Sequence, residues 1–228
     1  MFIKSMSDCP IKKQEENKKQ LSELFFEREK GILIVISGPS CAGKGSVCKI
    51  ICQKNPDLRL SISETTRKPR NYEKQGQDYF YVSKESFETR IKQGQYLEYA
   101  TVYENYYGTP KDYVENLLES GYDIILEIDI QGAAKVRSNY KEGIYIFIVP
   151  PSMQELRRRI EERGTESKEQ MEMRLNCAYE EMRNADDYSY IVINDELEDA
   201  ARRVQSIITA EKCRTERLKN KIEDILGR

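Results

Sequence analysis

Histidine is absent from the 228 residues, and so is tryptophan. The first absence removes the commonest general base near neutral pH and the commonest metal ligand. Hydrolases built on Ser-His or Cys-His pairs are excluded, as are imidazole-bearing zinc sites. Phosphoryl transfer to a phosphate is untouched, because that acceptor oxygen is already anionic and the work is positioning and charge stabilisation. The chain also lacks a large excess of either charge: 37 basic against 39 acidic residues give a formal net charge of -2. Nothing global points to nucleic acid or a membrane surface, so any anion site must be a local cluster of Arg and Lys. No apolar run approaches the ~20 residues that span a bilayer. The N-terminus lacks the apolar stretch of a signal peptide, and its acidic residues disfavour a transit peptide. The six cysteines, Cys9, Cys41, Cys48, Cys52, Cys177 and Cys213, form no C-x-x-C pair and no metal spacing. They read as reduced thiols in a cytoplasmic protein with no membrane or nucleic-acid partner.

What is present is an alternation. Residues 1–30 are polar and charged and read as an extension, with Leu21, Leu24 and Phe25 as its apolar positions and Met6 as an alternative start. Then "GILIVIS" is a short, mostly β-branched run that predicts a strand buried on both faces. "YDIILEIDI", "GIYIFIVP" and "YSYIVIND" repeat the theme, each separated by a helical segment. "KGSVCKIICQK" predicts a helix with Val47, Ile50 and Ile51 inward, and "GTPKDYVENLLESG" one that stops at Gly121. The fold class is α/β: a three-layer core with a mainly parallel sheet. Residues 61–109 break the rhythm. They are rich in tyrosine and predict short antiparallel strands around one helix, inserted into the core. The C-terminal text reads as helix, with Val204, Ile207 and Ile208 as its stripe.

The stretch "VISGPSCAGKGSVCKI" carries the first chemistry. Gly38, Gly43 and Lys44 have the G-x-x-x-x-G-K spacing of a phosphate-binding loop, between a strand and a helix as that motif requires. Backbone N–H groups would converge on phosphate, the helix adds its positive end, and Lys44 supplies a mobile cation. Pro39 stiffens the start of the loop. The next residue is normally Ser or Thr, a direct Mg²⁺ ligand; here it is Gly45, and the hydroxyl arrives late at Ser46. Mg²⁺ keeps several waters and can be held by substrate phosphates, so this form suits a nucleotide kinase better than a switch NTPase. Cys41 is the odd residue of the loop, either a reactive thiol beside a helix N-terminus or a tolerated small residue.

Arg67 and Arg70 flank Lys68 and Pro69 on a stiff, extended segment. Alone, it reads as a solvated basic loop or as a bidentate phosphate grip. Asp129 follows a predicted strand end, and Glu127 precedes it by two, so both carboxylates point one way. They could hold a base, order Arg67, anchor metal-bound water, or cap the next helix. Arg159 and Arg163 lie one turn apart on a predicted helix, with Arg174 in the next.

Taken together, "GPSCAGKG", "SISETTRKPR", "DYFYVS", "LEYATVYENYYGTP", "LEIDIQGA", "IFIVPPS", "RRRIEERGTES" and "YIVIND" resemble the guanylate kinase family, in family order, over about residues 31–208. The resemblance implies ATP + GMP giving ADP + GDP with Mg²⁺ held mainly by phosphates and water, and dGMP as a further acceptor. It implies a core of 31–60, 110–153 and 188–208, a GMP-binding region of 61–109 and a lid of 154–187; outside it, residues 209–228 read as a C-terminal helix. It puts ATP on Gly38, Pro39, Ser40, Cys41, Ala42, Gly43, Lys44, Gly45 and Ser46, with Asn194 at the adenine. Arg67, Arg70, Tyr79 and Tyr107 would grip the GMP phosphate, and Ser63, Glu98, Thr109 and Asp129 would surround guanine. Lys44, Arg159, Arg163 and Arg174 would neutralise the transferring phosphoryl, with Arg67 bridging donor and acceptor; Arg157 and Arg158 would be solvated. Cys41 departs from the Gly common in the family. Two rivals are a peptide-binding scaffold of similar fold and a kinase acting on another phosphorylated acceptor.

Overall fold

A computed structural model describes residues 29–102, 104–163 and 167–227, with the backbone alone of Arg163. The expectations for the first 28 residues, including Leu21, Leu24, Phe25 and Met6, lie outside the described residues.

Five strands form one all-parallel sheet, in the order β2-β7-β1-β8-β9. They are β1 (Leu33–Ser37), β2 (Leu58–Leu60), β7 (Asp123–Glu127), β8 (Ile144–Val149) and β9 (Tyr190–Ile193). The continuous apolar runs make sense in this setting. Ile34 and Ile36 of β1, Ile125 of β7, and Ile144, Ile146 and Ile148 of β8 face one side. Leu33 and Val35, Ile124 and Leu126, and Tyr145 and Phe147 face the other. Each such side chain taken fully out of water contributes about 1.5–3 kcal/mol, so both faces demand a covering layer. The first face is covered by α1 (Lys44–Lys54) and α7 (Leu197–Lys212), the second by α3 (Lys111–Glu119) and α4 (Ile130–Asn139). Helix α3 stops as its sequence predicts: Gly121, at φ 82°, lets its N–H reach Leu118 O and that of Tyr122 reach Leu117 O, both at 3.0 Å.

The insertion is a second sheet, β4-β3-β6-β5, made of β3 (Glu64–Thr65), β4 (Phe80–Tyr81), β5 (Tyr96–Val102) and β6 (Asn105–Pro110), with α2 (Lys84–Lys92) packed on it. Phe87 of α2 stacks between Tyr96 and Tyr106, ring centroids 4.3 and 5.2 Å away. The insertion is tied to the core through Arg90. It pairs with buried Glu64, which also accepts from Tyr96 OH, and forks onto Asp112 of α3 at 2.9 and 3.1 Å. Beyond β8, α5 (Met153–Arg163) and α6 (Lys168–Met182) pack on one another through Leu156, Ile160, Leu175 and Ala178.

Four details differ from the sequence reading. Strand β3 pairs with β4 in parallel, not antiparallel, because the chain between them is a long excursion carrying Arg67 to Tyr79 rather than a hairpin. Cys48, not Ile50, is the third fully buried side chain of α1 with Val47 and Ile51; Ile50 is half-buried. The short edge strand β2 was not legible in "LRL", whose central and last residues are exposed. The helix expected from residue 209 is split: α7 runs through Lys212 and α8 (Thr215–Ile225) starts afresh after Cys213 and Arg214.

Candidate active site

The glycine loop leaves the end of β1 at the carboxyl edge of the parallel sheet, where open α/β folds bind ligands. Gly38 has φ 140°, and a Cβ there would lie 2.0 Å from Ile148 O of the neighbouring strand. Gly43 has φ 91°, and its Cβ would lie 2.2 Å from Asn194 Nδ2. Neither position accepts a side chain. Cys41, at φ 65°, is the one non-glycine residue with positive φ among the described residues. For an L residue that conformation costs roughly 1–2 kcal/mol. Its side chain packs against the apolar cluster of α5 and α6.

Lys44 opens α1 and turns back over the loop, donating from Nζ to Gly38 O at 2.7 Å and Pro39 O at 3.0 Å. Burial lowers its pKa, opposed by the charge of Glu127. Gly45 has a steric reason: its missing Cβ would sit 3.3 and 3.4 Å from the two oxygens of Glu127. A hydroxyl side chain there would crowd that carboxylate. Burial raises the Glu127 pKa, with Lys44 acting against it. Ser46 follows, exposed on the first turn of α1.

Asn194, expected at adenine, is 4% exposed, and its Nδ2 donates to Ala42 O at 2.7 Å. Its amide is committed to the loop backbone. Arg159 is fixed beside it, Nη2 donating to Asn194 O at 2.9 Å, Nη1 to Ala42 O at 3.5 Å and Nε to Glu155 Oε1 at 2.8 Å. Arg174 reaches from α6 to Ser40 Oγ at 3.3 Å. The side chain of Arg163 lies outside the described residues. Arg157 and Arg158 are ion-paired rather than simply solvated. Arg157 crosses to Glu172 of α6 at 2.5 Å, and Arg158 pairs with Glu155 at 2.7 Å and with Glu162.

The second cluster lies in the β3–β4 excursion. Arg67 Nε donates to Tyr107 OH at 3.1 Å, and its guanidinium lies 5.6 Å from the Tyr79 ring centre. Tyr79 and Tyr107 meet edge to face at 5.9 Å. Arg70 points away, Nη1 donating to Tyr72 OH at 3.0 Å. The residue that sequence reasoning missed is Glu73. Its half-buried carboxylate accepts from Arg67 Nη1 and Nη2 at 3.0 and 2.9 Å, Arg70 N at 2.8 Å and Tyr81 OH at 2.8 Å. These donors, Arg67 first, hold its pKa down to about 2. An acid three residues beyond "RKPR" was the available signal, unread because loop acids are usually solvated.

The third cluster surrounds Glu98. This β5 carboxylate is 9% exposed, accepts from Thr109 Oγ1 at 2.7 Å, and has its pKa raised by burial. A Cβ on Gly132 would lie 3.2 Å from Glu98 Oε2. Asp129 caps α4, accepting from Gly132 N at 2.7 Å. Thus the two acids of "LEIDI" part company: Glu127 faces Gly45 and Lys44, Asp129 the α4 turn beside Glu98. Ser63, Tyr79 and Thr109 line one wall of a cleft of about 150 Å³, and Leu126, Glu127 and Ile128 the other. The buried Ser61 Oγ in the same cleft has no partner among the described residues.

A parallel sheet, a glycine loop over its carboxyl edge, an arginine-bearing helix pair against that loop and a separate anion cluster across a cleft define a phosphate-loop kinase of small phosphorylated acceptors. The comparisons narrow this class. The family described as guanylate kinase matches residues 30–211. A guanylate kinase of Clostridium tetani is 56% identical over 194 residues, 85% of this chain and 93% of that one. One from Caldanaerobacter subterraneus is 53% identical over 193 residues, covering 85% and 94%. The crystal structure of guanylate kinase from Anaplasma phagocytophilum superposes with a TM-score of 0.67 at 32% identity, over 86% of this chain and 95% of that one. The chain belongs to the guanylate kinase family.

Proposed function

We propose that the three clusters divide the work of an ATP:GMP phosphotransferase. The loop from Gly38 to Ser46 holds the triphosphate of ATP on backbone N–H groups and the α1 N-terminus. Lys44 exchanges its two carbonyl partners for phosphate oxygens, gaining charge-assisted bonds for neutral ones. Arg159, Arg163 and Arg174 complete the positive wall around the transferring phosphoryl. Asn194 works beneath the loop as a positioning residue rather than on adenine. Arg67, Tyr79 and Tyr107 receive the GMP phosphate, with Arg70 swinging in from the rim. For Arg67 to reach the donor side as well, its grip on Glu73 must loosen.

Guanine presents an N1–H and an N2–H₂ on one edge, two donors that one carboxylate accepts together. Glu98 suits this, with Thr109 holding its other side and Ser63 and Asp129 beside it. Adenine would bring an acceptor at N1 and leave the buried carboxylate unpaired, which polar sites reject strongly. dGMP is the further acceptor that the family resemblance implies. The insertion and the α5–α6 lid close over the nucleotides and exclude water.

Guanylate kinases work with a divalent metal, generally Mg²⁺. Among the described residues no group of three or more His, Cys, Asp or Glu could hold an ion alone. The start of α1 nevertheless fits one carried in by phosphate: the Glu127 carboxylate faces Gly45, and exposed Ser46 stands one residue on. Glu127 would help hold the hydrated ion, and Mg²⁺ would supply charge neutralisation to the phosphates. Cys48, Cys52, Cys177 and Cys213 are free thiols, which suits the cytoplasm.

The observation that carries the reading is the cleft shared by Ser63, Tyr79 and Thr109 on one side and Glu127, neighbour of Gly45 and Lys44, on the other. An ADP-release assay with GMP, dGMP, AMP and UMP tests it. Turnover with GMP and dGMP alone is expected. Equal turnover with AMP would overturn the guanine assignment, and no turnover at all would favour the scaffold reading.

A further inference from the structure

The family match covers residues 30–211 and leaves a piece of chain at each end. The C-terminal piece meets Glu29 and Lys30, where the N-terminal piece joins the matched region. Lys221 Nζ on α8 pairs with Glu29 Oε1 at 2.6 Å, and Arg217 Nη2 donates to Lys30 O at 2.7 Å. Arg217 Nε is buried with no partner among the described residues. From Lys30 back to Glu29, contact moves from Arg217 to Lys221. Glu29 and Lys30 therefore lie antiparallel to α8, the step upstream being one turn toward the C-terminal end of that helix.

That end is apolar and uncovered among the described residues. Leu218, Ile222 and Ile225 share one face at helical spacing. Ile222 is 55% exposed, Ile225 79% and Leu226 58%. Upstream of Glu29 the sequence reads "LSELFFER", with Leu21, Leu24, Phe25 and Phe26 as its large apolar residues. The reach is sufficient. Ile225 lies one helical turn past Lys221, about 6 Å. Phe25 lies four residues before Glu29, about 6 Å if helical and about 14 Å if extended.

We propose that residues 21–26 of this chain cover the apolar face of α8, so that the N- and C-terminal additions close on each other. The junction lies before the start of β1, at the end of the sheet opposite the phosphate loop. Docking therefore shields apolar surface without touching nucleotide.

Hydrogen exchange on the full chain tests this, with two variants: Phe25→Asp with Phe26→Asp, and Ile225→Asp. In the parent, amides of residues 21–26 and 218–226 should both be protected. Each variant should speed exchange about tenfold or more in both segments, while GMP turnover stays unchanged. The phenylalanine variant leaves the α8 sequence intact, so it decides the matter even if Ile225→Asp unravels the helix. Unchanged α8 exchange in the phenylalanine variant overturns the proposal. So does sedimentation showing a dimer that only Ile225→Asp dissociates, which would make a second copy the occupant.

Discussion

Replacing Gly132 by Ala should make the protein no less stable and yet a worse binder of GMP. Gly132 lies inside the first turn of α4, where Ala is favoured by about 0.8–1.0 kcal/mol. Its φ is not positive, so no backbone strain opposes the change. The new Cβ, however, would lie 3.2 Å from Glu98 Oε2 and 3.4 Å from Asp129 Oδ1. Those oxygens must give by a few tenths of an ångström. Thr109 holds Oε1 of Glu98 at 2.7 Å, so the push rotates Oε2 out of line with the guanine donor it would accept. Losing one hydrogen bond to a charged group costs ~1.5–3 kcal/mol, a rise of about 10- to 100-fold in KM for GMP. The assays are steady-state kinetics at varied GMP and varied ATP, beside a thermal melt. Support is a raised KM for GMP, an unchanged KM for ATP and a Tm equal or higher. An unchanged KM for GMP, or equal losses for both nucleotides, would refute the steric argument.

Three other outcomes follow from the same geometry. Glu73→Gln should raise KM for GMP, since Arg67 loses its charged fork. Because the folded pKa of about 2 lies below the ordinary 4.5, the stabilisation from Glu73 is complete above pH 4.5 and lost as pH falls toward 2; melts across that window should show a flatter acid limb in the variant. Asn194→Ala removes a buried donor from Ala42 O and should cost about 1–3 kcal/mol of stability and raise KM for ATP, read by melts and kinetics. Lys44→Met should lower turnover by about 10³-fold or more while the melt shows a folded protein, and retained activity would remove Lys44 from the phosphoryl site.

The order of strands and helices was legible because a strand buried on both faces must be apolar throughout. "LIVIS", "DIILE" and "IYIFIV" announce themselves. Strand β2 did not, since at the sheet edge only Leu58 is buried. The phosphate loop was legible because its glycines answer a local demand: Gly38 and Gly43 sit at φ values that favour glycine, and spacing alone reveals them. The arginines of α5 and α6 were legible as candidates, but their partners were not. That Arg159 leans on Asn194 O while Arg157 crosses to Glu172 depends on how two helices pack.

The sequence by itself determined the layer architecture, the phosphate cradle and the family, because those rest on periodicity, backbone dihedrals and contiguous motifs. Tertiary structure decided which charges face one another. Glu73 meets Arg67 within a folded excursion, Glu127 explains Gly45 across two strands, and Gly132 makes room for Glu98 from a different domain segment. It also showed that residues 29 and 30 lie along α8. Side-chain pairing over long sequence separation is fixed by packing geometry, and no local pattern in a single chain records it.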